Sequence, residues 1–380
     1  MPPIKFEFAT ANRIVFGEGT LREVPAAAAA IGRRAILVTG ASPERAAPLR
    51  RALESAGVEC VPFAVANEPT LDLIRTGPHD ADLVIAIGGG SVLDAGKALA
   101  AMLTNPGDPL DYLEVIGRGQ PLSVPAAPCI AIPTTAGTGS EVTRNAVLGS
   151  AQHAVKASLR SAGMLPRLAV VDPELTLELP RPITASTGLD ALTQLIEPYV
   201  SIRANPMTDQ FCLEGLRRAA VALPRLWDNG ADREARSAMA WASLLGGMAL
   251  ANAGLGAVHG FAAPIGGMWN APHGAVCAAL LPHVMDVNVE AVAARKPETL
   301  VRYAEVARLL TRLPHATAGD GVEWVAALCR KLEVPPLRTY GLTPADLPLL
   351  VEKAAQASSM KGNPTVLTAD ELREIVSRAL

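Results

Sequence analysis

The sequence predicts a nucleotide-type α/β half followed by an all-helical half, and three observations carry that expectation. Between residues 35 and 171, short apolar strand-like runs alternate with helical patterns, the sign of a parallel sheet with helices on both faces. From Thr184 onward the strand patterns stop and every segment reads as a helix. Between the halves, Leu179-Pro-Arg-Pro182 supplies a break of the kind that separates domains, so boundaries are expected at 1–182 and 183–380.

In chain order, an extended piece ends at Phe16-Gly-Glu-Gly19 and leads into an Ala-rich helix before residue 33. The runs 35–39, 59–64, 82–87, 129–132 and 168–171 read as buried strands. Residues 43–56 and 92–103 read as helices, the second entered directly from Gly88-Gly-Gly-Ser91. A Pro/Gly-rich loop follows to about residue 125, and a hairpin-like excursion lies near 144–159. The helical half is expected as 184–202, 206–222, 231–253, a broken pair through 255–290, 295–311, 318–332, 343–356 and 368–379. No internal repeat is evident.

Composition narrows the function classes. The 380 residues are 49% hydrophobic and 19% charged, ample for sizeable cores, and a net charge of −3 offers no footprint for a polyanion. No Lys/Arg cluster interleaves with aromatics, so nucleic acid is not expected as a partner. Five cysteines, at 60, 129, 212, 277 and 329, are far apart with no C-x-x-C. Neither a disulfide framework nor a thiolate metal site is suggested, and a reducing cytoplasm fits. The N-terminus has no apolar signal core, so export is not expected. Ser237 to Met285 contains no Asp, Glu, Lys or Arg, a length that could cross a membrane. Glycines, prolines, histidines and Asn252 interrupt it, and no basic cluster or aromatic belt flanks it, so buried helices are expected there and no membrane partner.

The charge-free passage from Gly254 to Gly274 holds two of only six histidines. His259 and His273 are 14 positions apart, a distance of roughly 21 Å on one straight helix. Both reach one ion at bond lengths of about 2 Å only if the chain turns back between them. Pro264, Gly266, Gly267 and Pro272 supply the breaks. Upstream, the helical pattern from Thr187 to Glu197 sets Asp190 and Gln194 at i and i+4 on one face. Asp190, His259 and His273 give one hard oxygen and two imidazoles, a set that suits zinc or ferrous iron and leaves room for substrate. The competing reading makes both histidines hydrogen-bonded packing residues.

Strand, Gly88-Gly-Gly-Ser91, helix is the arrangement in which backbone N–H groups and a helix N-terminus face an anion. Three glycines also make an ordinary tight turn, and the spacing is not G-x-G-x-x-G. Asp94 in the first turn is favourable beside the helix dipole with or without a ligand, and Lys97 either meets a phosphate or lies on a solvated face. The segment from Pro133 to Thr143, PTTAGTGSEVT, follows a buried strand and so sits at the carboxyl edge of the sheet, where open α/β sheets bind ligands. Its hydroxyls suit ribose and a nicotinamide carboxamide; a Ser/Thr-rich turn is the alternative.

Together, GGGSVLDAGKA from Gly88, PTTAGTGSEVT, LPRLAVVDPELT from Leu165, TGLDALTQLIEPYVS from Thr187 and VHGF…APHG…LLPHV from Val258 resemble the iron-containing, or group III, alcohol dehydrogenase family, in its order and over nearly the whole chain. The resemblance implies a dehydroquinate synthase-like fold: a dinucleotide-binding α/β domain at 1–182 and a helical metal-binding, catalytic domain at 183–380. It implies hydride transfer between NAD or NADP and a small alcohol or aldehyde, with Fe2+ or Zn2+ bound, and is compatible with a homodimer. Pyrophosphate then falls on Gly88, Gly89, Gly90 and Ser91 with Asp94 nearby. Thr134, Thr135, Thr138 and Ser140 fall in the nicotinamide and ribose loop, and Lys156 beside the cofactor. Asp190, His259 and His273 are the implied catalytic metal ligands, with Gln194 a weak fourth ligand or a hydrogen-bonding neighbour.

Three positions depart from the family's pattern. Gln194 stands where it usually has His, Ala263 where it usually has a proton-relaying His, and Gly40 where NAD-preferring members often carry Asp. Gly40 removes a carboxylate that would repel a 2′-phosphate, with Arg45 on the following helix to receive it. The glycerol dehydrogenases, more distantly similar, use one Asp and two His for zinc, so an imidazole missing at 194 is compatible with catalysis. Two further readings stay open: a metal-independent enoate reduction resembling maleylacetate reductase, against which Asp190 argues, and a nucleotide-binding protein that no longer turns over. Leu255, Val258, Phe261 and Trp269 suggest an apolar pocket.

Overall fold

The computed structural model describes residues 4–153 and 155–380. The chain divides into two compact units, Thr10–Leu177 and Glu178–Leu380, the second including the residues up to Ala9.

The first unit is built on six parallel strands in the order β1-β8-β5-β4-β2-β3. They are β1 (Ile14–Phe16), β2 (Arg34–Thr39), β3 (Glu59–Ala64), β4 (Leu83–Gly88), β5 (Cys129–Pro133) and β8 (Leu168–Val171). All five expected strands are present, and the extended piece before Gly17 joins them as an edge strand, pairing Ile14 with Ala169. Side chains leave the strands alternately, so Ile36, Val38, Val84 and Ala86 face one core and Ala35, Leu37, Leu83 and Ile85 the other. The helix α4 (Gly90–Thr104) packs into the first core, and α1 (Val24–Ala29) and α2 (Ala47–Ser55) into the second. With both faces covered, the central strands β4 and β5 are continuously apolar, whereas the edge strand β3 is partly exposed.

Local differences from the expectation have local causes. The helix expected over 43–56 is divided into a 3-10 turn, Pro43–Ala46, and α2, with prolines at the start of each. Two short helices lie where none was expected: α3 (Leu71–Arg75), capped by Thr70, whose Oγ1 accepts from Leu73 N, and α5 (Pro109–Tyr112), within the Pro/Gly-rich loop and capped by Asp108. The excursion near 144–159 is an antiparallel hairpin, β6 (Asn145–Ser150) with β7 (Val155–Arg160).

The second unit is helical: α6 (Arg181–Val200), α7 (Pro206–Asp228), α8 (Arg233–Ala253), α9 (Ala257–Trp269), α10 (His273–Arg295), α11 (Pro297–Thr311), α12 (Ala318–Lys331), α13 (Leu347–Gln356) and α14 (Ala369–Ala379). The helix expected to stop at 222 runs on through Pro224, because Leu223 and Leu226 are buried and hold the last turns against the core. The charge-free passage is a bent path: α8 and α9 meet at 97°, and Asn270 in the left-handed conformation with Pro272 turns the chain into α10. By length and composition α10 could cross a membrane, but 78% of its apolar window is buried inside the fold, which accounts for its hydropathy. All five cysteines are unpaired and buried.

Candidate active site

Three helices of the second unit bring four donor side chains together. Asp190 lies on α6, His259 on α9, and His273 with Cys277 on α10; one ligand atom from each falls within 4.8 Å of all the others. The Nε2 atoms of His259 and His273 stand 3.4 and 3.6 Å from Asp190 Oδ1. Asp190 is 1% exposed, and its Oδ1 has no hydrogen-bond partner. Such an orphaned buried oxygen is costly unless a cation meets it. The implied ligands Asp190, His259 and His273 thus converge, and the donor set fits a divalent metal ion.

Supporting groups fix these donors. Glu197, two turns after Asp190 on the same face of α6, accepts from Val258 N at 2.7 Å with Oε1, while its Oε2 meets His259 Nδ1 at 2.7 Å. That contact assigns the Nδ1 proton to the Glu197 side and leaves the Nε2 lone pair for the ion. Asn363 accepts from Ala257 N at 3.1 Å, so the start of α9 is satisfied by two side chains. Gly256 is required here, because a Cβ would lie 2.9 Å from Glu197 Oε1 and 3.0 Å from Asn363 Oδ1. Gln194 is buried; its Nε2 donates to Asp190 Oδ2 at 3.0 Å and its Oε1 is left without a partner.

The electrostatics are those of a cation site. Burial works against a charged imidazole, but Cys277 and Glu197 beside His259 outweigh it and raise that histidine well above its ordinary value. Burial is likewise overcome at His273 by Cys277 and Asp190, to about 9. At Asp190, burial would raise the carboxyl, yet the two histidines hold it below the ordinary value. Cys277 and Glu197 were not singled out in the sequence. Their signals were their spacings, one turn after His273 and two turns after Asp190.

In the first unit, Gly88 ends β4 and Gly89 precedes α4, whose N-terminus no side chain caps. A Cβ at Gly90 would lie 2.6 Å from Thr138 Cγ2, and one at Gly88 2.5 Å from Val92 Cγ2, so both positions exclude side chains. Thr134 N donates to Gly88 O at 2.9 Å, joining the two polar loops. Thr134, Thr135 and Thr138 are partly exposed beside the glycines, as is Ser91. Asp94 is a brace between elements: it accepts from Ser140 Oγ at 2.6 Å and Val147 N at 2.9 Å, and Lys97 Nζ lies 3.1 Å away. Lys97 is neither solvated nor turned to a ligand. It is 1% exposed, donating to Ser140 O at 3.0 Å and Thr143 Oγ1 at 2.9 Å. Lys156 on β7 pairs with Glu68.

Comparison with known proteins gives one consistent answer. A family model described as iron-containing alcohol dehydrogenase matches residues 11–173, and its C-terminal counterpart matches residues 184–380. The 1,3-propanediol dehydrogenase of Citrobacter freundii is 36% identical over 86% of this chain and 85% of its own. The NAD-dependent methanol dehydrogenase of Bacillus methanolicus is 33% identical over 96% of this chain and 97% of its own. Among solved structures, a 1,3-propanediol oxidoreductase superposes with a TM-score of 0.91 at 32% identity, covering 99% of this chain and all (100%) of that one. The alcohol dehydrogenase from Oenococcus oeni gives 0.90 at 31% identity, covering 99% and 100%.

Proposed function

The chain belongs to the iron-containing alcohol dehydrogenase family and is an oxidoreductase acting on CH–OH groups, and we propose how its residues divide that work. Asp190, His259 and His273 hold a divalent metal ion, Fe2+ or Zn2+. Gly88, Gly89, Gly90 and Ser91 receive the pyrophosphate of NAD or NADP at the uncapped start of α4, and Thr134, Thr135, Thr138 and Ser140 line the ribose and nicotinamide loop. The substrate is a small alcohol or aldehyde; nucleic acid and membrane are not partners.

The observation that carries the metal reading is Asp190 Oδ1, buried, without a hydrogen-bond partner and facing two imidazole Nε2 atoms. When bound, the metal supplies Lewis-acid polarisation of a carbonyl oxygen, and the nicotinamide supplies or accepts the hydride. The protein's own groups do the rest. Asp190 provides the negative charge that retains the ion, Gln194 fixes its second oxygen, and Glu197 keeps the proton of His259 on Nδ1. Asp94 and Lys97 hold the 137–142 loop against α4 so that its hydroxyls keep their places. Ala263, one helical turn after His259, carries no titratable group, so no general acid or base stands at that position.

The test combines elemental analysis before and after chelation with initial rates on a panel of alcohols and aldehydes, using both nicotinamide cofactors. Metal and turnover should be lost together in Asp190→Ala and on chelation, and return together when Fe2+ or Zn2+ is added to the wild type. Full activity in demonstrably metal-free protein would overturn the assignment and favour metal-independent reduction.

A further inference from the structure

We propose that Cys277 is a fourth protein ligand of the metal, its thiolate completing a tetrahedron with Asp190, His259 and His273 that a substrate oxygen would join as a fifth ligand. The inference rests on the metal reading above and adds a sulfur to it. Cys277 lies one turn after His273 on α10, so the two side chains share a face. Its Sγ stands 3.7 Å from His273 Nε2 and 3.9 Å from His259 Nε2, and the residue is fully buried.

Those separations are the edges of a coordination polyhedron. Ligand nitrogen and oxygen at about 2.0–2.1 Å from a tetrahedral ion lie about 3.3 Å apart, and a nitrogen and a thiolate sulfur at about 2.3 Å lie about 3.6 Å apart. The observed nitrogen–oxygen edges are 3.4 and 3.6 Å and the nitrogen–sulfur edges 3.7 and 3.9 Å. Each agrees to within a few tenths of an ångström. The independent sign of a ligand is Asp190 Oδ1, buried without a partner and within 4.8 Å of the other donor atoms.

Gln194 is the rival for the fourth position, because its Oε1 is also buried without a partner, and the sulfur signature tested below decides between the two. Its Nε2 is committed to Asp190 Oδ2, an arrangement that steadies a ligand carboxylate. The sulfur also changes selectivity: a set of one carboxylate, two imidazoles and a thiolate is softer than oxygen and nitrogen alone and favours Zn2+ over Fe2+. On ligation the thiol proton leaves to solvent as the S–metal bond forms, with no change of oxidation state.

Cobalt(II) titration of the chelated full-length protein separates this inference from the metal reading. Visible ligand-field absorption that saturates at one ion per chain supports the metal site, and a near-ultraviolet sulfur-to-cobalt charge-transfer band supports Cys277. In Cys277→Ser the band should vanish and Zn2+ affinity fall about tenfold or more, while Gln194→Ala keeps the band. Cys277→Ala serves as the second variant, with circular dichroism to establish folding. Stoichiometric cobalt binding without a charge-transfer band, or a band that survives in both cysteine variants, overturns the sulfur ligand and leaves the metal site standing. Absence of any cobalt or zinc binding in the wild type overturns both.

Discussion

Glu197→Gln removes one charge and no volume, and it should weaken metal binding out of proportion to its size. In the wild type both carboxylate oxygens accept, one from Val258 N and one from the Nδ1 side of His259, each at 2.7 Å. A glutamine can accept at only one of them. If its oxygen stays on Val258 N, its NH2 faces His259 Nδ1, which must then give up its proton and carry it on Nε2, where the ion would bind. If the amide turns over, the NH2 collides with the Val258 N–H at the start of α9 and leaves that buried donor unpaired. Either conflict costs about 1–3 kcal/mol in the metal-bound state, which is roughly 5- to 150-fold in affinity and agrees with the ~10–100-fold typical of outer-shell partners. In the metal-free protein Glu197 is one of the groups that keep His259 protonated, so Glu197→Gln should also lower the melting temperature of the chelated protein near neutral pH. Glu197→Ala, which orphans Val258 N outright, should lower it as well. The assay is competition for Zn2+ against a chromophoric chelator, with circular dichroism melts of the chelated proteins. Wild-type zinc affinity in folded Glu197→Gln would refute the claim that Glu197 sets the tautomer.

Other consequences are open to measurement. Ala263→His restores a titratable group one turn after His259 and should raise turnover at neutral pH, within the range of about 10²- to 10⁴-fold for a positioned general acid; an unchanged or lower rate with metal content intact refutes it. NADPH should serve at least as well as NADH in the wild type, and Gly40→Asp should cut NADPH use about tenfold or more by charge repulsion while sparing NADH. A Cβ at Gly40 meets only Val92 Cγ2, at 3.9 Å, so a loss confined to NADH would refute the electrostatic account. Glu141 is 2% exposed, and burial lifts its carboxyl from 4.5 to about 7. The folded state therefore holds this proton more tightly: its stabilising contribution is complete below pH 4.5 and is lost as pH rises through about 7, a swing of about 3 kcal/mol. Glu141→Gln should raise the melting temperature near pH 8 and change it little near pH 4, and parallel pH profiles for the two proteins would exclude the effect.

What the sequence made legible follows from how far each interaction reaches along the chain. The inner strands announced themselves because residues such as Ile36 and Val38 alternate with Ala35 and Leu37 and both faces are buried, so those runs are apolar throughout. Of the four breaks expected between His259 and His273, Pro272 stands at the start of α10, but Pro264, Gly266 and Gly267 lie within α9, and the residue that takes the left-handed conformation is Asn270. Asp190, His259 and His273 come from three helices, and no local pattern says that those helices meet; only the family's ordered motifs did. Cys277 and Glu197 were within local reach, at i+4 from His273 and i+7 from Asp190, but cysteines judged only by their spacing to other cysteines conceal one that pairs with a histidine. Lys97 shows the opposite limit. Its spacing to Asp94 is the same for a solvated pair and a buried one, and what draws it inward is the carbonyl of Ser140 and the hydroxyl of Thr143, more than forty positions away. A buried ammonium with no such acceptors would lose its charge or turn to solvent. The loop from Pro133 to Thr143 is therefore also what makes this lysine a core residue, and the dependence runs both ways: removing the ammonium leaves the Ser140 carbonyl without that donor and Asp94 without its countercharge.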